Sequence, residues 1–174
     1  MQNNLEILVI SDTHSDRSVV FRAMKKMLTP PDAVLFLGDG LSDLSVITSE
    51  EGWEEIPVYS VAGNCDGASF FLDDVPEVRV LTLGGCRIVM MHGHTYDVKY
   101  GNIAALDYAL ERGADVLLYG HTHIPVAEHR RIGDRTIVVG NPGSLGRPFG
   151  ACAPTFGMLT IRQGKPLFSF AELG

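Results

Sequence analysis

Short aliphatic runs, each closing on a glycine or on an oxygen or nitrogen donor, constrain this chain more than any other feature. Leu5–Ser11, Ala33–Leu37, Val58–Val61 and Val116–Tyr119 are almost unbroken apolar segments. A strand that is apolar on both faces must be covered on both, so these runs predict buried, parallel-type strands with helices over them. Asp12-Thr13-His14, Gly38-Asp39, Gly63-Asn64, His92-Gly93-His94 and Gly120-His121-Thr122-His123 all lie within a few residues of such a run's end. Five of the six histidines fall in three of these fragments. Donors delivered repeatedly at strand ends are what a metal centre needs and a hydrophobic core does not.

The segments between the runs fill in the architecture. Ser15 or Asp16 is expected to cap a helix through about Leu28, with Val20, Met24 and Met27 on one side and Pro30-Pro31 ending it. Leu41–Ile47 reads as a short helical segment. Val78–Leu83 and Cys86–Met91 flank Gly84-Gly85, a two-residue hairpin signal. Asn102 is expected to cap a helix over Ile103–Arg112, which Gly113 terminates. Beyond Tyr119 hairpins take over: Ala127–Ile132 with Arg135–Gly140, then Phe156–Arg162 with Pro166–Leu173. Strands alternating with helices, followed by hairpins, predict a two-sheet α/β sandwich with mixed parallel and antiparallel strands and helices on the outer faces. Residues 1–174 are expected to form a single domain. Open sheets of this type gather ligands beyond the carboxyl ends of their strands, so donors spread over a hundred positions would meet at one edge.

Composition narrows the functional classes. Hydrophobic residues at 45% and charged ones at 20% describe a globular chain. The apolar runs fall far short of the roughly 20 residues of a bilayer crossing, and no basic-apolar leader opens the sequence, so neither membrane insertion nor secretion is expected. Cys65, Cys86 and Cys152 have no CxxC spacing; a disulfide framework is not expected and a cytoplasmic location is. The net charge of −7 argues against extended nucleic-acid binding. It does not oppose a small anionic substrate, because bound cations invert the field locally.

Asp12, His14, Asp39, Asn64, His92, His121 and His123 form a mixed nitrogen and oxygen set with no thiolate. Such a set suits Mn, Fe, Co, Ni or Zn better than Ca or Mg. It is too large for one tetrahedral ion and fits two divalent ions, with the Asp39 carboxylate as the natural bridge. Manganese is the expected ion, with nickel, iron, zinc and cobalt as alternatives. Two divalent cations, offset by two carboxylates and a bridging hydroxide, leave a small positive charge that matches a phosphate oxyanion. Such a pair about 3.5–4 Å apart generates hydroxide near neutral pH and stabilises charge growing on phosphorus.

This ordered series resembles the calcineurin-like metallophosphoesterase superfamily across roughly Leu5 to His123. The short length, Gly63-Asn64-Cys65-Asp66 and Asn141-Pro142-Gly143-Ser144 are similar to its small prokaryotic phosphodiesterase branch. That branch is similar in fold to a retromer subunit serving as a protein scaffold. The resemblance implies one ion on Asp12, His14, Asp39 and His123 and a second on Asp39, Asn64, His92 and His121. It also places Asn64 against a substrate phosphoryl oxygen. The implied activity is hydrolysis of a phosphodiester by hydroxide bridging the ions. A non-catalytic scaffold and a phosphomonoesterase are the alternatives.

One position departs from the wider pattern. Many members carry histidine after the asparagine, where it protonates the leaving group; this chain has Cys65, as the smaller branch commonly does. His94, Asp66 and metal-bound water are the candidate replacements, unless the substrates carry good leaving groups. His94 and Cys65 are expected to line the substrate site, with a local hydrogen bond bracing the loop an equal reading for His94. Plainer roles are expected elsewhere. His129 belongs to a solvated hairpin face, Asp43 to a helix surface, Arg147 to the surface and Trp53 to the core. Asp66 is as readily a cap for the following segment. Phe70-Phe71 is the first place to look for a homo-oligomer contact.

Overall fold

The computed structural model describes residues 4–67 and 74–174; Phe70-Phe71 lies outside them. The described chain forms two mixed five-stranded sheets packed face to face, with a helical layer on each outer side.

The first sheet is built from β1 (Leu5–Ile10), β2 (Ala33–Phe36), β3 (Val58–Ser60), β9 (Thr155–Arg162) and β10 (Lys165–Glu172), in the order β10-β9-β1-β2-β3. The second contains β4 (Val78–Leu83), β5 (Cys86–Met91), β6 (Val116–Tyr119), β7 (Pro125–Ile132) and β8 (Arg135–Pro142), ordered β4-β5-β6-β8-β7. β1, β2 and β3 run parallel, and so do β5, β6 and β8, while hairpins complete each sheet in antiparallel sense.

Alternation along β1 shows why its run is apolar throughout. Ile7 and Val9 meet Met90, Leu118 and Leu159 between the sheets. Leu8 and Ile10 turn the other way, with Val34 and Phe36, onto Val20, Ala23 and Met24 of α1 (Arg17–Lys26). Val89, Met91, Leu117 and Val139 of the second sheet cover Ala105, Leu106 and Ala109 of α3 (Ile103–Glu111) in the same way. Trp53 is buried in the first helical layer, as expected. Among the described residues, no helix is long and apolar enough to cross a membrane.

Leu41–Ile47 is helical as expected, a 3-10 turn, Leu41–Leu44, leading directly into α2 (Ser45–Ser49). Two local expectations needed correction. Asp43, expected on a helix surface, is 1% exposed because it accepts a 2.5 Å hydrogen bond from the buried Thr13 hydroxyl. Asn102 precedes α3 without capping it, because its amide donates to Tyr119 Oη and its oxygen accepts from Arg130. Asp16 does cap α1, accepting from the Ser18 N–H at 3.0 Å.

Candidate metal centre

Five strands that run parallel to a sheet neighbour deliver the donors to one rim. Asp12 follows β1, Asp39 follows β2, Asn64 follows β3, His92 ends the run of β5 and His121 follows β6. The loops are tied to one another rather than free: the Asp12 N–H donates to Gly38 O at 2.9 Å, the His14 N–H to Asp39 O at 3.0 Å and the Gly120 N–H to His92 O at 3.1 Å. Asp12, His14, Asp39, His121 and His123 all adopt left-handed backbone, with φ of 54, 50, 60, 65 and 59°. Residues with a side chain avoid this region, at about 1–3 kcal/mol each where they are held there, and such strain concentrates at functional sites.

The structure brings all seven predicted donors together in two adjoining clusters. In the first, His14 Nε2 lies 3.3 Å from His123 Nε2, and Asp12 Oδ1 lies 3.0 Å from the same His123 nitrogen. In the second, His92 Nε2 lies 3.1 Å from His121 Nδ1, 3.2 Å from Asn64 Oδ1 and 3.5 Å from Asp39 Oδ2. Asp39 Oδ2 is also 4.0 Å from His14 Nε2, so one oxygen faces both clusters. Its partner Oδ1 is occupied by the Cys65 N–H at 2.7 Å.

The ring orientations are fixed from behind. His92 Nδ1–H donates to Leu37 O at 2.7 Å, which leaves the Nε2 lone pair as the atom presented to the cluster. Asp12 Oδ2 accepts from the Ser11 hydroxyl at 2.5 Å and the His121 N–H at 3.1 Å. Asp12 Oδ1 is buried with no well-aligned hydrogen bond, although His123 Nε2 lies 3.0 Å away. Buried polar atoms are nearly always satisfied, so an orphan carboxylate oxygen among imidazole nitrogens marks a place for a cation. Asp12 with His14 and His123, and Asp12 with Asp39 and His92, each present ligand atoms close enough for one ion.

Proton affinities follow from this crowding. Burial sets His14 below its ordinary value, and burial next to His92 drops His121 to about 4. Burial also opposes charge on His92, but the Asp39 and Asp12 carboxylates outweigh it and the net shift is upward. The Asp12 carboxylate likewise raises His123. Burial works against the Asp39 anion, yet His92 and the Cys65 N–H hold its carboxyl well below the usual range. Burial and the Asp39 charge push the Cys65 thiol up to about 11, so it stays protonated at neutral pH.

The side chains around the two clusters take distinct places. Asp66 lines the cleft, and the segment it was expected to cap lies outside the described residues. Its carboxylate accepts from the Asp39, Gly40, Leu41 and Gly63 N–H groups at 2.7–2.9 Å, stapling the two loops that carry Asp39 and Asn64. His94 stays outside both clusters; its ring centre is 5.4 Å from that of His92 and 6.1 Å from that of His121, with Glu77 3.7 Å from Nε2. Arg147 is exposed, yet lines the same cleft as His14, Asp39, Cys65 and Asp66. His129 is exposed on β7, away from the centre.

Sequence reasoning missed a buried support layer. Asn141 Nδ2 donates to Gly120 O and Thr122 Oγ1, each at 3.0 Å, and so shapes the loop of His121 and His123. The Ser144 hydroxyl donates to Asp12 O at 2.8 Å. Their signal was Asn141-Pro142-Gly143-Ser144, at the carboxyl end of the remaining parallel strand.

Residues 5–164 match the calcineurin-like phosphoesterase superfamily domain. The probable metallophosphoesterase YsnB of Bacillus subtilis (strain 168) is 32% identical over 168 residues, which span 97% of this chain and 91% of that protein. The phosphodiesterase YfcE of Escherichia coli (strain K12) is 39% identical over 107 residues, 59% of this chain and 52% of the relative. A conserved uncharacterised protein of Streptococcus pneumoniae TIGR4, described as a predicted phosphoesterase, has a TM-score of 0.75 at 28% identity, covering 98% of this chain and 91% of its own. Vps29 of Entamoeba histolytica shares the fold, with a TM-score of 0.66 at 22% identity over 97% of this chain and 99% of that one.

Proposed function

Because the chain belongs to the calcineurin-like phosphoesterase superfamily, we propose that it hydrolyses a phosphodiester at a centre of two divalent ions. The observation that carries this reading is the gathering of Asn64 Oδ1, His121 Nδ1 and Asp39 Oδ2 within 3.5 Å of a His92 nitrogen whose lone pair points at them. Acceptors gathered this closely favour a positive charge among them, and the buried Asp12 Oδ1 supports a neighbouring position.

Asp12, His14, Asp39 and His123 would hold one ion, and Asp39, Asn64, His92 and His121 the other. Manganese is our first choice, since oxygen and imidazole donors without thiolate suit it, and nickel, iron, zinc or cobalt could replace it. When bound, the ions supply Lewis acidity and hydroxide at neutral pH. The protein's residues do the rest. Asp39 uses one oxygen for the ions and is held by Cys65 through the other. Asn64, exposed at the lip, orients a phosphoryl oxygen. His94, on the rim beside His92 and His121, contacts the departing oxygen. The protonated Cys65 thiol forms a wall of the cleft and is not the nucleophile. Water adds to phosphorus, the bond to one ester oxygen breaks, and that oxygen leaves as an alcohol. The whole unit works as one domain over residues 1–174.

The diester assignment draws on the Escherichia coli relative. Its test is a side-by-side assay of bis(p-nitrophenyl) phosphate and p-nitrophenyl phosphate with added Mn²⁺. Faster diester turnover is expected, and a preference for the monoester would make the protein a phosphomonoesterase. The fold shared with Vps29 favours a second reading as a protein-binding scaffold. That reading prevails if neither ester is turned over with any of the five metals.

A further inference from the structure

A second cleft adjoins the donor cluster and shares no lining residue with the one that holds Cys65. It encloses about 380 Å³ and is lined by Lys99, His121, Thr122, His123, Ile124 and Phe149. Two of its walls, His121 and His123, are candidate metal ligands, so a ligand filling it would lie beside the proposed centre. The other cleft, along His14, Ser15, Ser42, Cys65, Asp66 and Arg147, is lined by polar and charged side chains.

The two sides offer unlike chemistry to the two arms of a diester. Phe149 is 61% exposed and Ile124 is 45% exposed, although each borders the cleft. Leaving such apolar area in water is unfavourable by about 25 cal/mol per Å², which a ligand covering it would recover. The lining combines a phenyl ring and two imidazoles with two short β-branched side chains. Flat faces of this kind suit a flat ligand, and stacking of a base or aryl ring on an aromatic side chain contributes about 1–3 kcal/mol. Lys99 adds a cation at the rim, as an anionic phosphoester requires. A fatty acyl arm would leave the ring faces and the lysine without matching partners.

Building on the phosphodiesterase reading, we propose that this cleft selects substrates whose phosphoryl group carries a planar aromatic arm, an aryl or nucleoside ester, which stacks on Phe149 between Ile124 and the imidazoles of His121 and His123. Phe149 is then a specificity residue. It touches the substrate's arm, not the reacting atoms.

Binding of non-hydrolysable ligands tests this independently of turnover. Calorimetric titration of the Mn²⁺-loaded protein with phenylphosphonate and methylphosphonate is expected to show about tenfold tighter binding of the phenyl compound. Phe149→Ala should bring the two affinities within about twofold of each other, and Phe149→Trp should keep the preference. The exposed position makes loss of folding a minor concern, and an unchanged melting temperature controls for it. Equal affinities in the unsubstituted protein, no binding of either compound, or a preference that survives Phe149→Ala would each overturn the proposal. Hydrolysis of methyl p-nitrophenyl phosphate, which lacks the second aromatic arm, separates the two readings. Turnover of that ester with equal phosphonate affinities removes the subsite and leaves the phosphodiesterase.

Discussion

His92 shows how much of the site resides in single atoms. Its Nδ1–H is committed to Leu37 O, so only Nε2 can face Asp39, Asn64 and His121. Replacing it by glutamine should lower metal affinity and turnover by more than the roughly 10–100-fold that losing an outer hydrogen bond costs; calorimetric Mn²⁺ titration would show it. The same nitrogen predicts a pH dependence. In the metal-free protein His92 titrates above its ordinary value of 6.5, so its pairing with Asp39 stabilises below that pH and is lost as the pH rises through the raised value. Metal needs the nitrogen bare, so affinity should climb over the same interval. The rise in melting temperature on adding Mn²⁺ should therefore be larger near pH 8 than near pH 6. A larger rise at the acid end would contradict this. That these seven side chains would meet was readable from the sequence because each lies within a few residues of a strand-like run's end. The hydrogen-bonding supports of their loops were not. Ser11, Thr13, Asp66, Asn141 and Ser144 carry no chemistry of their own, and only the folded arrangement shows which carbonyl, N–H or carboxylate each one meets.

At the scale of elements, the centre depends on loops that cross within contact distance. Gly63 lies so close to Asp39 that a Cβ built on it would sit 2.1 Å from Asp39 Oδ1. Gly63→Ala should displace that carboxylate, costing about 1–3 kcal/mol of stability by overpacking and weakening metal binding with it. Thermal melts and Mn²⁺ titration would report both. Asp66 works on the same pair of loops through four N–H groups. Asp66→Asn keeps the shape but turns two acceptor positions into donors facing donors. It should reduce metal affinity roughly 10–100-fold while the strands remain folded, with an unchanged far-ultraviolet circular dichroism spectrum as the check. Strand positions were legible because uninterrupted apolar runs of this length fit little else. Helix ends were less so. The first helix stops at Lys26 rather than near Leu28, because Met27 already turns to extended backbone with ψ of 128°. Asn102 was read as a cap from its residue type, yet tertiary hydrogen bonds to Tyr119 and Arg130 claimed its side chain.

On the scale of the molecule, two sheets with separate connections meet so that the carboxyl ends of β1, β2 and β3 confront those of β5, β6 and β8. Neither sheet holds a complete set: Asp12, His14, Asp39 and Asn64 come from the first, and His92, His121 and His123 from the second. Metal should thus bind across the sheet interface and stabilise the assembled form over the unfolded chain. Removing it with a chelator should lower the melting temperature without changing the strand content. The two-layer architecture followed from the order of runs and hairpins, but where the hairpins would attach did not, since β9 returns from the far end of the chain to pair with β1 and carries β10 outside it. The most direct test of the account is an anomalous difference map from crystals grown with Mn²⁺. Two peaks about 3.5–4 Å apart are predicted, one among Asp12, His14 and His123 and one among Asn64, His92 and His121, with Asp39 Oδ2 between them. A map with no peak at these side chains, or with manganese bound elsewhere, would contradict it.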